Sequence, residues 1–420
     1  MWDRFNQMFG WSRTRGLAWV LFCATSFQLA FLQPYVVLIP GERANLFSGL
    51  LCVLSLGATC LVARKEAVDQ KSPALLISLV LATLVILSGV LSLTPGSSSA
   101  RGFVLLASGL GGFWGAKILL NSESRQKAFV WIALIMLAGI LIIGLISYLQ
   151  SGSVYGLLDS NPHPLASRIL LLGFAPLVLC FGPSGRLVKI AAGFLLGLGY
   201  LILFLSGLQS AVLIPPLLCI LATFFGAFRL KYLLALFIPL LIIITYFFFH
   251  LPPRKMGKEV EPVYYRLENY AFSWSIAVRH PFVGIGLWAP RGEFLNDYEI
   301  KYPYVTREKF AGSVKGIRTS DNMFLTFMAD LGFPFLLLYS FSLFFLLIRL
   351  IRRVVEPSSA SFLPPLALLL PISAGLLHFQ IYDGLLFPQI SWFFHILLGL
   401  IPPAPGSSAP APPSLPGGGG

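Results

Sequence analysis

Apolar runs about 20 residues long, the length that crosses a bilayer as a helix, recur along the chain between short polar or Pro/Gly breaks. Twelve windows stand out: 17–39, 46–63, 74–93, 103–120, 128–149, 165–182, 187–205, 209–228, 231–250, 323–348, 362–380 and 385–401. The pattern predicts an all-α polytopic membrane protein. Two places leave the count between ten and twelve: the pair around Ser206-Gly207 reads also as one broken helix, and the last two windows are short and divided near Tyr382-Asp383-Gly384. An outer-membrane barrel would show alternating segments of roughly ten residues, and none is present.

These runs imply an organisation. Residues 1–250 form an N-terminal bundle of nine spans, 251–320 a large loop, 321–401 the C-terminal spans, and 402–420 a disordered tail of Pro, Gly, Ala, Ser and Leu. The tail is uncharged and lacks the apolar surface that folding requires. The stretch from Leu17 to Ile39 exceeds a signal-peptide core and has no small-residue cleavage site, so it is expected to stay as the first span.

Composition agrees: 56% of residues are hydrophobic and 11% charged, against about 25% charged in soluble domains, and mean hydropathy is +0.81. A net charge of +13 would point to nucleic acid in a soluble protein. In a membrane protein the placement of Lys and Arg carries more information, and no nucleic-acid partner is expected. With the N-terminus inside, alternate connections carry Arg64, Lys65, Lys71, Lys117, Arg125, Lys127, Arg186, Lys189, Arg229, Lys231, Arg349, Arg352 and Arg353. The opposite short connections hold only Arg43, Arg101 and Arg168. That asymmetry puts both termini in the cytoplasm. Cys23, Cys52, Cys60, Cys180 and Cys219 all lie in apolar runs without CxxC spacing and read as inert thiols.

Long loops escape the charge rule, and 251–320 is such a segment. It mixes basic residues with the acids Glu259, Glu261, Glu268, Glu293, Asp297, Glu299 and Glu308, and with many Tyr and Trp. It is too aromatic for a linker, and an ordered outward cap with short helices is expected. Tyr264 to Trp274 reads as an amphipathic helix, followed by a Gly-containing turn through His280-Pro281-Phe282-Val283-Gly284-Ile285-Gly286. Tyr270 and Trp274 follow Arg266 at four and eight residues, on one helix face. An arginine beside aromatics serves either as an interfacial anchor or as a pyrophosphate-and-sugar site, since guanidinium binds phosphate bidentately and rings stack on sugars.

No P-loop, GxSxG, HExxH or Rossmann fingerprint occurs in a usable context, and Gly109-Leu110-Gly111-Gly112 reads as close helix packing. No DxD pair lies on the outward loops, so neither a metal nor a cofactor is expected. Ionisable groups at membrane depth are functional candidates: Arg168, Asp321, Asp330, His378, Asp383 and His395. Arg168 is placed either to contact an anionic headgroup or to snorkel to the interface. His395 reads as a packing residue, and His378 with Asp383 as a local hydrogen bond.

Arg266 and Trp274 with the 280–286 turn, followed by Ser320-Asp321-Asn322-Met323-Phe324-Leu325 and Asp330-Leu331-Gly332, resemble the O-antigen ligase and O-antigen polymerase superfamily of bacterial envelope glycan enzymes. The resemblance covers residues 155–345. It implies a GT-C-like fold with about twelve spans and a periplasmic loop, in the inner membrane. It further implies an undecaprenyl-pyrophosphate-linked glycan as donor and a glycan or lipid A-core hydroxyl as acceptor. Membrane lipids and, for a polymerase, a chain-length regulator protein are the other partners. Arg266 would hold the pyrophosphate and stabilise the leaving group, with Arg168, Arg318, Tyr270, Trp274, Asn322 and His280 binding substrate.

Two departures stand out. Ser206-Gly207-Leu208-Gln209-Ser210 lacks the arginine that ligases carry there, and Asp321 occupies the place of the ligase histidine that precedes Asn322. Asp321 is either the acceptor base or a cap for the following helix, and Arg318 and Lys315 either supply the missing charge or face solvent. The missing histidine favours a polymerase over a ligase. A lipid-linked sugar flippase would distribute its basic residues through the bundle, and a scaffold would tolerate loss of Arg266 and Asp321.

Overall fold

The computed structural model describes residues 12–31, 41–65, 73–155, 157, 161–224, 260–302, 305–316, 319–356 and 362–402. Among these residues the regular structure is helical, without a strand. In chain order the helices are α1 (Arg13–Phe31), α2 (Gly41–Lys65), α3 (Pro73–Val90), α4 (Pro95–Leu119), α5 (Glu123–Ser151), α6 (Pro162–Leu172), α7 (Phe174–Phe181), α8 (Arg186–Leu205), α9 (Gln209–Phe224), α10 (Val260–Arg279), α11 (Arg307–Gly316), α12 (Met323–Val355), α13 (Pro365–His378) and α14 (Pro388–Gly399).

Seven described helical stretches are long and apolar enough to cross a membrane: Phe47–Arg64, Pro73–Val90, Pro95–Leu119, Glu123–Ser151, Pro162–Phe181, Arg186–Leu205 and Met323–Val355. Ser210–Ile220 and Pro365–His378 are apolar but shorter. The window 231–250 lies outside the described residues. The pair around Ser206-Gly207 is two helices, α8 and α9, with Gly207 at φ +73° between them. The last pair is likewise separate, parted by a stretch that includes the 3-10 turn Gly384–Leu386. Window 165–182 is α6 and α7, meeting at Gly173. Inside α12, Gly332 leaves the helical region at φ 84° and ψ 169°, and Pro334 follows, so the element is two helical pieces.

The bundle core shows why small residues recur in α4. A Cβ on Gly112 would lie 2.5 Å from the Trp392 carbonyl oxygen of α14, and one on Gly115 would lie 2.5 Å from the Phe22 ring of α1. These absences let α4 approach the α14 backbone and seat the Phe22 ring of α1 against it. The fully buried Trp392 donates its indole N–H to Ser26 Oγ (2.9 Å), which ties α14 to α1. Close packing accounts for the glycine run, as expected.

Residues 264–316 surround a second, smaller core of Phe272, Ile276, Ile285, Leu295, Tyr298 and Phe310. Along α10 the buried positions Glu268, Asn269, Phe272, Ser273, Ile276 and Ala277 recur at helical spacing. Glu268 is fully buried yet satisfied: it accepts the Tyr298 hydroxyl and the backbone N–H groups of Lys301 and Tyr302. A buried carboxylate with three donors fixes the path of the chain around it. Burial, followed by this carboxylate, pushes the Tyr298 phenol far above its ordinary range, so it remains a donor.

Candidate active site

Four chain segments meet at one end of the bundle: the first turns of α10, the turn 319–322, the stretch 379–383 between α13 and α14, and the start of α6. The 319–322 turn is built by side-chain capping. Asn322 is the N-cap of α12, its Oδ1 accepting from the N–H groups of Phe324 and Leu325 (both 3.1 Å), while its Nδ2 donates to the Gln380 carbonyl (3.0 Å). The capping role weighed for Asp321 therefore belongs to its neighbour. Asn322, expected to bind substrate, spends its amide on the turn.

Asp321 stands in the left-handed region at φ 53°, a conformation that aspartate tolerates better than most residues. Its N–H donates to Asp383 Oδ2 (2.8 Å), and Thr326 Oγ1 donates to Asp383 Oδ1 (2.6 Å). Tyr270 Oη, from α10, donates to the Gln380 carbonyl (3.0 Å) and more weakly to that of Asp321 (3.4 Å). The Asp321 side chain itself remains half-buried beside these anchors.

Electrostatics mark this place. Burial raises the Asp321 carboxyl above the ordinary carboxylate range against the opposing pull of Arg266 and then Arg291. Asp383 is pushed up to about 6, by burial first and also by the charge of Asp321, with the Thr326 and Thr319 hydrogen bonds and Arg291 pulling the other way. Burial likewise raises the Tyr270 phenol and keeps it a donor. Arg266 is exposed on α10, and its charge reaches Tyr270, Asp321 and His163.

At the start of α6, His163 stacks on Tyr382 (4.8 Å, 11°) and its Nδ1 lies 3.2 Å from His378 Nε2. His378 Nδ1 is 3.0 Å from Ser167 Oγ. His378 and Asp383 thus have separate partners, contrary to the direct bond expected between them. Arg168 is fully buried, with Nη1 donating to the Ala30 carbonyl (2.5 Å) and Nε to that of Pro164 (3.4 Å). It is enclosed within the bundle, where it joins α6 to α1. His395 packs inside the bundle as expected, its Nδ1 2.7 Å from the Ser391 carbonyl.

The glycine turn after α10 interlocks with the break in α12. Ile285 and Gly286 donate to the carbonyls of Ala329 and Asp330 (3.0 and 2.9 Å), and Phe333 donates to that of Pro281 (2.8 Å). Gly284 (φ +65°) and Gly332 (φ +84°) face the partner backbone so closely that a Cβ would sit 2.3 Å from Asp330 C and 2.4 Å from Phe282 O. The two motifs picked out in the sequence are thus one structural unit.

Its centre was missed. Arg291, 1% exposed, pairs with the fully buried Asp330 (2.8 Å) and donates to Ser273 and Ser320 (2.8 Å each). No short motif flags Arg291; the burial of Asp330 implied a cationic partner without naming it. His280 lies fourteen residues along α10 from Arg266, about 21 Å at 1.5 Å per residue, and meets the Phe294 ring edge-on. Trp274 contacts Phe333 edge-on (5.9 Å). The structure therefore brings Arg266, Tyr270, Asp321 and Asn322 together and leaves His280 apart. Arg318 lies outside the described residues. Among the described residues no three His, Cys, Asp or Glu side chains gather as a metal site.

Residues 192–340 match the family model described as O-antigen ligase. The matched range includes Arg266, Arg291, Asp321 and Asp330, and excludes His163, His378 and Asp383. No curated protein matches the chain.

Proposed function

We propose that this multi-pass membrane protein, whose residues 192–340 match the O-antigen ligase family model, belongs to the O-antigen ligase and polymerase superfamily and transfers an undecaprenyl-pyrophosphate-linked glycan to an acceptor hydroxyl at the outer face of the inner membrane. The observation that carries this reading is the convergence of an exposed arginine, Arg266, and a half-buried carboxyl of raised pKa, Asp321, at one end of an apolar bundle. The two groups match the two demands of the reaction. The acceptor oxygen attacks the anomeric carbon of the donor sugar, and the bond from that carbon to the pyrophosphate oxygen breaks. Negative charge then builds on the pyrophosphate, where Arg266 binds it.

Asp321 takes the acceptor proton. Burial makes its carboxylate a better base than one in water, while Arg266 and Arg291 keep it ionised enough to act. Asp383 and Tyr270 hold the turn that presents it. Trp274, half exposed on the same helix, offers a ring for a sugar farther along the glycan. This reading carries with it a GT-C-like fold of about twelve spans, with both termini in the cytoplasm and the 251–320 segment in the periplasm.

A polymerase fits best, because aspartate rather than histidine precedes Asn322. The second reading, a ligase that transfers to lipid A core or to a protein, is favoured by the description of the matched family. A strain lacking the gene, complemented with wild type or Arg266→Ala, separates the two on a gel of envelope glycan. Loss of the long-chain ladder with a single repeat still attached to its acceptor identifies a polymerase. Loss of all attachment, with polymer held on the carrier, identifies a ligase. A normal ladder from Arg266→Ala refutes the pyrophosphate role.

A further inference from the structure

A cavity of about 480 Å³ lies between α3, α4, α12 and α14, running from Phe327 in the first turns of α12 to Lys117 and Arg349 at the opposite end. Its wall is apolar, with Leu81, Leu106, Phe335 and Leu346 among its lining, and it is open where Phe341 and Phe345 stand exposed. One end is different. There Lys117, in the last turn of α4, and Arg349, toward the end of α12, both face the cavity.

The Arg349 charge reaches Lys117, the Arg353 charge reaches Arg349, and the described residues that line the cavity include no acid. The Lys117 ammonium lies 5.6 Å from the ring centroids of both Phe113 and Trp114. Arg349 Nε is buried and has no hydrogen-bond partner. Two like charges held together against a low-dielectric wall repel each other, and an anion between them relieves the cost. The anions available at the edge of a bilayer are lipid phosphates, and the apolar wall suits acyl chains.

We propose that this cavity binds an anionic glycerophospholipid of the surrounding membrane, its phosphate between Lys117 and Arg349 and its acyl chains along the apolar wall. A polyprenyl tail entering from the Arg266 end would bring no charge to these two cations, whereas a lipid whose headgroup starts at their end satisfies both. The end in question is also the one the distribution of Lys and Arg assigns to the cytoplasm. The site is independent of the transfer reaction.

The test is native mass spectrometry of the purified full chain in mild detergent, titrated with dioleoylphosphatidylglycerol or dioleoylphosphatidylcholine. Wild type should hold the anionic lipid about tenfold more tightly. Lys117→Gln/Arg349→Gln should bring the two lipids to parity. Ala74→Trp, which narrows the cavity and keeps both cations, should weaken both lipids. Arg352→Gln/Arg353→Gln removes equal charge at the same end of α12 from residues that do not line the cavity, and, although the Arg353 charge reaches Arg349, should cost the anionic lipid much less than the Lys117/Arg349 change. Equal affinity for both lipids in wild type overturns the proposal, as does an equal loss in the Arg352/Arg353 variant, which would indicate diffuse attraction. Co-purification of a polyprenyl phosphate in place of glycerophospholipid would overturn it too. Should the Lys117/Arg349 variant fail to accumulate, the other two variants decide between these outcomes.

Discussion

Arg266 and Arg291 come from one segment of chain and from opposite physical situations. Arg291 is enclosed, 1% exposed, with Asp330, Ser273 and Ser320 taking its hydrogen bonds. Arg266 is exposed, with its field reaching Asp321 across the gap between α10 and the 319–322 turn. The first region has spent its charges on holding backbone together. The second has charge left to spend on a ligand. A charged residue becomes a candidate for chemistry when the fold leaves its demand unmet, and charge alone is a poor guide to that.

The sharpest way to break the contrast is Arg291→Ala, which strands Asp330 as a buried, unpaired carboxylate. The expected cost is about 3–5 kcal/mol, read as loss of membrane-inserted protein in a thermostability assay. The paired change Arg291→Met/Asp330→Leu should restore part of it, because no charge is then left alone. If Arg291→Ala accumulated normally, the division into a structural and a catalytic arginine would fail.

Arg266→Ala should do the reverse, with little change in thermostability and a loss of transfer of at least about a hundredfold, the scale for removing a transition-state charge partner. A smaller and pH-dependent effect is expected at the carboxylates. A base works when ionised, so transfer should rise with pH as the Asp321 carboxyl, raised by burial and coupled to Asp383, loses its proton, with the limb above the ordinary carboxylate range. Asp321→Asn should lose activity across the range, while Asp321→His keeps some. A flat profile for wild type between about pH 5 and 7 would remove the base from this pair. The smallest expected effect is that of Trp274→Ala, which forfeits the edge contact with Phe333, about 0.5–1.5 kcal/mol. Weaker substrate affinity with an unchanged maximal rate would place the ring on the glycan.

Much of the bundle was legible in order of residues, because membrane helices announce themselves by length and hydropathy and need no tertiary information. The helix from Tyr264 onward, the turn at 280–286, the packing role of the α4 glycines and the presence of short helices in the described part of 251–320 all followed from local pattern. The breaks at Gly173 and Gly332 did not emerge from hydropathy, since each lies within a window that is long and apolar enough to read as one helix. Within the candidate site, Arg266, Tyr270 and Asp321 were found from residue type and spacing. The contribution of α6 and of the 379–383 stretch was not, because His163 and Asp383 are far from Arg266 in sequence and lie outside the matched family range.

By itself the sequence determined that the chain lives in a membrane, where its helices run, and which residue types could handle a pyrophosphate and a hydroxyl. Those are properties of composition and of short-range period, which every residue carries wherever the chain goes. Only the tertiary structure decided that Asn322 caps and Asp321 does not, that Arg168 is buried, that Arg291 closes on Asp330, and that Lys117 and Arg349 line one cavity. Each of these depends on what lies across a gap between helices distant in sequence. Burial and the supply of partners are set there, and they decide whether a charge is structural or free to act.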